Sequence, residues 1–280
     1  MYRKSIYANA GVTSPPHDWD EQLRAAKAVT IRKNGKLLQA GYPPWPTDAG
    51  GQDQIVIGLI RQAGGHMEVE KRAAFNSPEG KLALEFLVEI LKTVYPDNVF
   101  SFPTAVVPDF VTGRVPEVWG SAGPVAEMKQ YAPTQVKDIG IMGVLAGRGP
   151  KAKEVGLTFV GPFLIAAQSK VPEQSWEVVE YLTSGEAGPA WIQTLGALPA
   201  SRAVARAPYW SKDPIMSQLF AITDKYGKAV PFLPNAGEMH AIMGHEVSNV
   251  IYGTSTIPEA LRSAEEKWNQ ILAKFYAKHP

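Results

Sequence analysis

Five histidines, 27 acidic residues and no cysteine bound the chemistry that this 280-residue chain can attempt. Without Cys there is no disulfide framework, no thiolate zinc site and no thiol nucleophile. His240 and His245 in "HAIMGHE" invite a metalloprotease reading. A spacing of five, however, sets the two rings roughly 140° apart around a helix. His245–Glu246 then runs on as "HEVSN", without the second His that a zinc helix requires. "GRGPKA" (147–152) fits a loose GxGxxA pattern, yet a dinucleotide site needs a full helix before the next strand. Only a few residues precede Leu157, so the stretch reads as a linker. Neither a GxSxG elbow nor a GxxxxGK[ST] loop occurs. The pairs Asp18/Asp20, Glu68/Glu70 and Glu265/Glu266 suit caps or solvated faces, and spacing alone cannot select a glycosidase pair. The expectation is a protein with no catalytic residues, no metal and no cofactor.

What remains is a set of rings in Gly/Pro-rich contexts, off the helical stripes. "AGYPPWPTDAGG" places Tyr42 and Trp45 in a loop whose backbone proline fixes. "EVWGSAGP" sets Trp119 at a strand end beside Ser121, and Phe163 follows Gly161–Pro162. "PFLPNAGEMHA" puts Phe232, Glu238 and His240 where a loop runs into a helix. Flat rings on rigid loops beside a few polar groups suit stacking on sugar faces. Trp45 and Trp119 suit core or loop packing equally well.

The elements that must hold these residues are legible from composition and caps. Twenty-eight basic residues against 27 acidic give a net charge of +1, with no footprint for nucleic acid or an anionic membrane. An apolar share of 45% and a charged share of 20% are those of a folded globular chain. The length suggests about two domains. The longest apolar stretch, near 157–167, is about half of what a membrane-spanning helix needs. The opening "MYRKSIYANAGV" lacks the apolar run of a secretory signal. A mature or cytoplasmic chain, or one starting partway through something longer, is expected.

Asp18 with Glu21 forms a candidate capping box before "WDEQLRAAKAV". Ser77, Pro78 and Glu79 mark the next helix start, followed by the stripe Leu82, Phe86, Leu87, Ile90 and Leu91. Residues 172–196 read as two short helices broken at Ser184–Gly185, with Trp176, Val179 and Leu182 facing inward. Further helices are expected over 237–252 and, behind a Thr256 cap, over 257–276. Strands are expected at 116–122, 138–145 and 157–168, the last apolar on both faces as in a buried α/β sheet. Residues 146–154 read as a linker and 205–214 as a second crossing.

The order of these segments resembles the sugar-type extracellular solute-binding proteins of ABC importers, the group that includes maltose-binding protein. The matching stretches are "YRKSIYANAGVTSPPHDWDEQLRAAKAVT", "LIRQAGG", "AFNSPEGKLALEFLVEIL", "SKVPEQSWEVVEYLTSGEAGPAWIQTLGALPASRAV" and "NVIYGTSTIPEALRSAEEKWNQIL". The resemblance implies an α/β, type II periplasmic-binding-protein-like fold with a complete C-lobe and a partial N-lobe. Residues 1–152 and 208–280 would form the C-lobe, and 153–207 the returning segment of an N-lobe lacking its N-terminal part. It further implies a carbohydrate held in an interlobe cleft by stacking and polar contacts from Tyr42, Trp45, Trp119, Ser121, Phe163, Glu238 and His240, and passed to ABC permease membrane subunits from the periplasm or cell surface. The family's Gly–x–Trp is replaced by "WGSAGP", which shifts Trp119 and leaves the bound sugar open. A non-sugar solute (a glycerol phosphodiester, polyamine or oligopeptide), a truncated non-functional remnant, and a hydrolase stay as alternatives. An incomplete lobe also implies self-association.

Overall fold

The computed structural model describes residues 1–95, 106–120, 122–183, 187–194 and 196–279. The chain opens with β1 (Tyr2–Arg3), α1 (Lys4–Asn9), α2 (Trp19–Val29), the hairpin β2 (Ile31–Lys33) and β3 (Lys36–Gln39), and α3 (Ala49–Gln62). Next come β4 (Glu68–Val69), β5 (Arg72–Ala73), α4 (Pro78–Val94), α5 (Val106–Thr112), α6 (Gly123–Tyr131) and β6 (Ile139–Gly140). The returning part holds β7 (Gly156–Thr158), α7 (Pro172–Thr183), α8 (Ala187–Thr194), α9 (Arg202–Ala205), α10 (Pro208–Ser211) and α11 (Pro214–Tyr226). The chain ends with β8 (Gly227–Ala229), α12 (Ala236–Ile251) and α13 (Ile257–Tyr276).

The caps form where the sequence places them. The Asp18 carboxylate accepts from Glu21 N–H, and the Ser77 hydroxyl from Gly80 N–H. Thr256 and Glu259 complete a reciprocal box. Around Asp18 the return bond is displaced by one residue: Glu21 accepts from His17 N–H. Each such cap satisfies a backbone donor that the helix itself leaves unpaired.

Four helices, α3, α4, α12 and α13, enclose the main core, with Trp19 of α2 stacked on Phe86 at 4.6 Å. Gln52–Gly244 and Asp53–His240 are contacts between α3 and α12, and Trp45 of the loop before α3 reaches Ser248 further along α12, so the two run in opposite directions. Trp268 closes the far side, edge-on to Phe75 and donating to the Met239 carbonyl. A second cluster gathers Phe110, Val118, Val125, Met128, Ile139, Trp210 and Met216, and so ties α10 and α11 to α5 and α6. The Lys129–Asp213 ion pair spans the same junction.

Sheet structure is sparse. Among the described residues the strands form four two-stranded pairs, of which only β7 with β8 is parallel. This corrects the strand expectations in extent. Residues 138–145 supply only β6, and 116–122 contribute a single bridge, Tyr2 to Glu117. Of 157–168, residues up to Thr158 pair, on one edge, and the apolar residues beyond stand open, with Leu164 at 85% exposure. A continuous apolar run pays off as a strand only where ladders exist on its edges. The inward stripe of α7 is likewise corrected: Trp176 is 56% exposed, while Val179 and Leu182 are half-buried. The break expected at Ser184–Gly185 lies outside the described residues. Within 205–214, Pro208 starts α10 and Asp213 caps α11.

Candidate functional site

Gly41 brings the first ring loop against α2. A Cβ there would sit 2.0 Å from the Ala26 carbonyl oxygen, so no other residue lets the loop pass. Tyr42 follows, 5% exposed, with its carbonyl accepting from the Tyr95 hydroxyl at 2.5 Å. Its ring meets Trp119 edge-on, centroids 4.9 Å apart. Trp119 precedes Gly120, whose φ of 95° is open to glycine at little cost and turns the chain away behind the indole. With 36% of Trp119 exposed, one part of the ring is clamped and the rest is wet.

The clamp is a buried carboxylate. Glu117, 4% exposed, accepts from Trp119 Nε1–H at 2.9 Å through Oε1. Its Oε2 accepts from the Tyr7 hydroxyl at 2.9 Å and Gln22 Nε2–H at 2.7 Å. Burial pushes the Glu117 carboxyl above the usual range, while the Met1 amino group and these three donors draw it back. Burial, together with the Glu117 charge, also raises the phenols of Tyr7, Tyr42 and Tyr95. Three tyrosines, a tryptophan and one carboxylate thus form a single ordered unit.

The other expected residues are engaged elsewhere. Trp45 is 2% exposed and donates to Ser248 Oγ at 3.0 Å, which pins its loop to α12 and leaves no free ring face. His240 Nδ1 lies 2.7 Å from Oδ2 of the fully buried Asp53, whose Oδ1 has no hydrogen-bond partner. Burial raises Asp53 to about 6, against the pull of His240. Glu238 is exposed and accepts from Asn235 Nδ2–H. Phe163 is exposed and lies 6.2 Å from the Trp191 ring. Ser121 falls outside the described residues. Of the seven, only Tyr42 and Trp119 are in ring contact with each other.

Sequence reasoning missed Tyr7, Gln22, Asp53, Tyr95 and Glu117. One signal was available for Glu117: in extended backbone, residues two apart share a face, so Glu117 and Trp119 point the same way. Tyr7, Gln22 and Asp53 stand on helices and Tyr95 directly after one, where nothing in the local sequence sets them apart. A separate open pocket of about 330 Å³ lies between α1 and α2, lined by Gly11, Thr13, Ser14, Glu21 and Arg24 among others. None of the expected residues lines it. Among the described residues no three potential metal-ligating side chains gather.

Residues 1–189 match the family model for bacterial extracellular solute-binding proteins. The chain belongs to that family. No curated protein matches it in sequence. Its backbone superposes on an ABC transporter solute-binding protein from Thermotoga lettingae bound with α-D-tagatose, at 24% identity and a TM-score of 0.80. That match covers 97% of this chain and 69% of the Thermotoga chain. The sugar-binding protein MalE from Xanthomonas citri aligns at 20% identity and a TM-score of 0.78, over 99% of this solute-binding protein and 69% of MalE. A sugar transporter protein from Arthrobacter chlorophenolicus, with bound laminaribiose, aligns at 20% identity and 0.75, over 96% and 68%. The fold is therefore that of type II periplasmic binding proteins, and the family is one of binding proteins. No helix is long and apolar enough to cross a membrane among the described residues.

Proposed function

We propose that this solute-binding protein is the receptor of an ABC importer and takes a carbohydrate against Trp119. The observation that carries the reading is the clamped, part-exposed indole, held by Glu117 at its N–H and by Tyr42 in a T-shaped ring contact. An apolar ring face presented without rotational freedom fits the C–H face of a sugar, because little ordering remains to oppose binding. The sugars bound in the structures of the Thermotoga and Arthrobacter relatives favour the same solute class. Glu238, His240 and Phe163 are the further contacts we assign, with Ser121 beside Trp119. Tyr42 backs the ring, and Trp45 fixes the loop that bears Tyr42.

In this reading residues 1–152 and 208–280 make one lobe and 153–207 return from the other. The solute passes from the periplasm or cell surface to the permease's membrane subunits, and no covalent step occurs. The open apolar residues of 159–191 support self-association of this chain. Calorimetric titration with tagatose, laminaribiose and maltose, on the wild type and Trp119→Ala, tests the reading. The expected loss on removing the ring is about 1–3 kcal/mol of binding. Binding of a phosphodiester or polyamine with no response to any sugar would replace the carbohydrate by another solute.

A further inference from the structure

Trp119 sits between Val118 and the turn at Gly120, on backbone outside any named strand or helix. An indole in such a place, part-exposed, ordinarily samples several rotamers, and a ligand must then select one. Here the ring carries its own anchor. Glu117 cannot swing away, since Oε2 is held by donors from two helices, Tyr7 of α1 and Gln22 of α2. Among the described residues Oε1 is left for one partner, the indole N–H. We propose that Glu117 is the positioning residue that fixes the Trp119 ring before solute arrives, with Tyr7 and Gln22 fixing Glu117.

Three features support this assignment over a merely structural carboxylate. A buried carboxylate is the strongest neutral-donor acceptor available, so the indole bond outlasts competition from water. No Lys or Arg side chain forms an ion pair with Glu117 among the described residues, so its acceptor capacity goes to the phenol, the amide and the indole. Gln22 Oε1 is buried without a partner, the cost of turning its amide N–H toward Glu117 rather than another way. Gln22 Oε1 is thus left unsatisfied while the carboxylate collects all three donors.

The inference rests on the proposed role of Trp119, but its first readout needs no ligand. In the ¹⁵N-labelled full chain, Trp119→Phe identifies the Trp119 indole N–H resonance. Glu117→Leu should move that resonance and speed its exchange with solvent by about tenfold or more, the scale of losing a hydrogen bond to a charged group. Glu117→Gln should restore most of the protection, because its amide oxygen can still face the indole while a half-turn of the Gln22 amide brings Gln22 Oε1 to accept from the new N–H₂. Should Glu117→Leu fail to fold, Tyr7→Phe serves, loosening the carboxylate without touching the indole, with faster indole exchange expected. An unchanged indole resonance and exchange rate in the folded variant would overturn the proposal. Affinity for laminaribiose separates the two readings. If Trp119→Ala leaves sugar binding intact while Glu117→Leu frees the indole, positioning stands and the stacking role falls. If Trp119→Ala abolishes binding and Glu117→Leu alters neither affinity nor exchange, the stacking role stands without this anchor.

Discussion

Helices α13 and α7 both carry an apolar stripe at three- and four-residue spacing, and the two stripes end differently. On α13, Leu261, Ala264, Trp268 and Leu272 are sealed against α12, α4 and β5. On α7, Trp176 and Tyr181 face water, and the helix has its main contacts with α8 alone. Local signals form both helices, since each has a proline within its first two positions and an apolar residue every three or four. Only the first finds a partner for its stripe. Amphipathic spacing states which face wants burial; a second, facing surface decides whether burial happens.

The largest expected effect lies on the sealed side. Trp268 is fully buried, edge-on to Phe75, with its N–H on the Met239 carbonyl. Trp268→Ala should cost about 3–5 kcal/mol of unfolding free energy, from lost burial, a cavity and the lost indole hydrogen bond. Urea denaturation checks this. A loss under 1 kcal/mol would mean that the α13 stripe is no better supported than that of α7.

An intermediate effect comes from Asp53, buried between the same helices. Its folded pKa is raised, to about 6 from 3.8, by desolvation. A raised carboxyl binds protons more tightly when folded, so its contribution is fully present below the unfolded value. It is lost as pH rises toward 6, by at most about 3 kcal/mol for a shift of this size. Asp53→Asn should flatten the pH dependence of stability between pH 4 and 6. Thermal melts across that range, wild type against variant, measure it. A wild type that gains stability relative to the variant over this window would reverse the sign and show the His240 pairing to outweigh burial.

The same contrast explains what could be read in advance. Asp18, Ser77 and Thr256 were legible as caps because a cap is local chemistry, complete within four residues. The stripe Phe86, Leu87, Ile90 and Leu91 was legible because helix period and burial agree there. The strand at 157–168 was legible only as an apolar run, since pairing is a property of edges far away in sequence. Trp119 stood out in the sequence by its Gly-rich context. Its anchor was not, because Tyr7 and Gln22 stand 110 and 95 residues from Glu117. Trp45 misled for the opposite reason: a proline-framed loop looks presented to solvent, but its ring turns inward to Ser248.

The smallest expected effect on stability is on the open side, where it is also the most telling. Trp176 is more than half exposed and has no ring partner recorded among the described residues. Trp176→Ser should therefore alter the unfolding free energy of the chain by about 0.5 kcal/mol or less, as for an ordinary surface site. Self-association should respond far more strongly. Phe159, Val160, Leu164, Trp176 and Tyr181 leave an apolar area in water that a second copy would remove, and each large ring withdrawn from water favours association by about 1.5–3 kcal/mol. Sedimentation equilibrium of the wild type should show mass above the 30.4 kDa monomer. Trp176→Ser combined with Tyr181→Ser should shift the mass back toward that value while leaving the urea midpoint at low concentration unchanged. A wild type that stays monomeric at high concentration would show the α7 stripe to be tolerable in water as it stands. A Trp176→Ser chain that loses several kcal/mol as a monomer would show instead that α7 packs on its own chain, and the contrast with α13 would disappear.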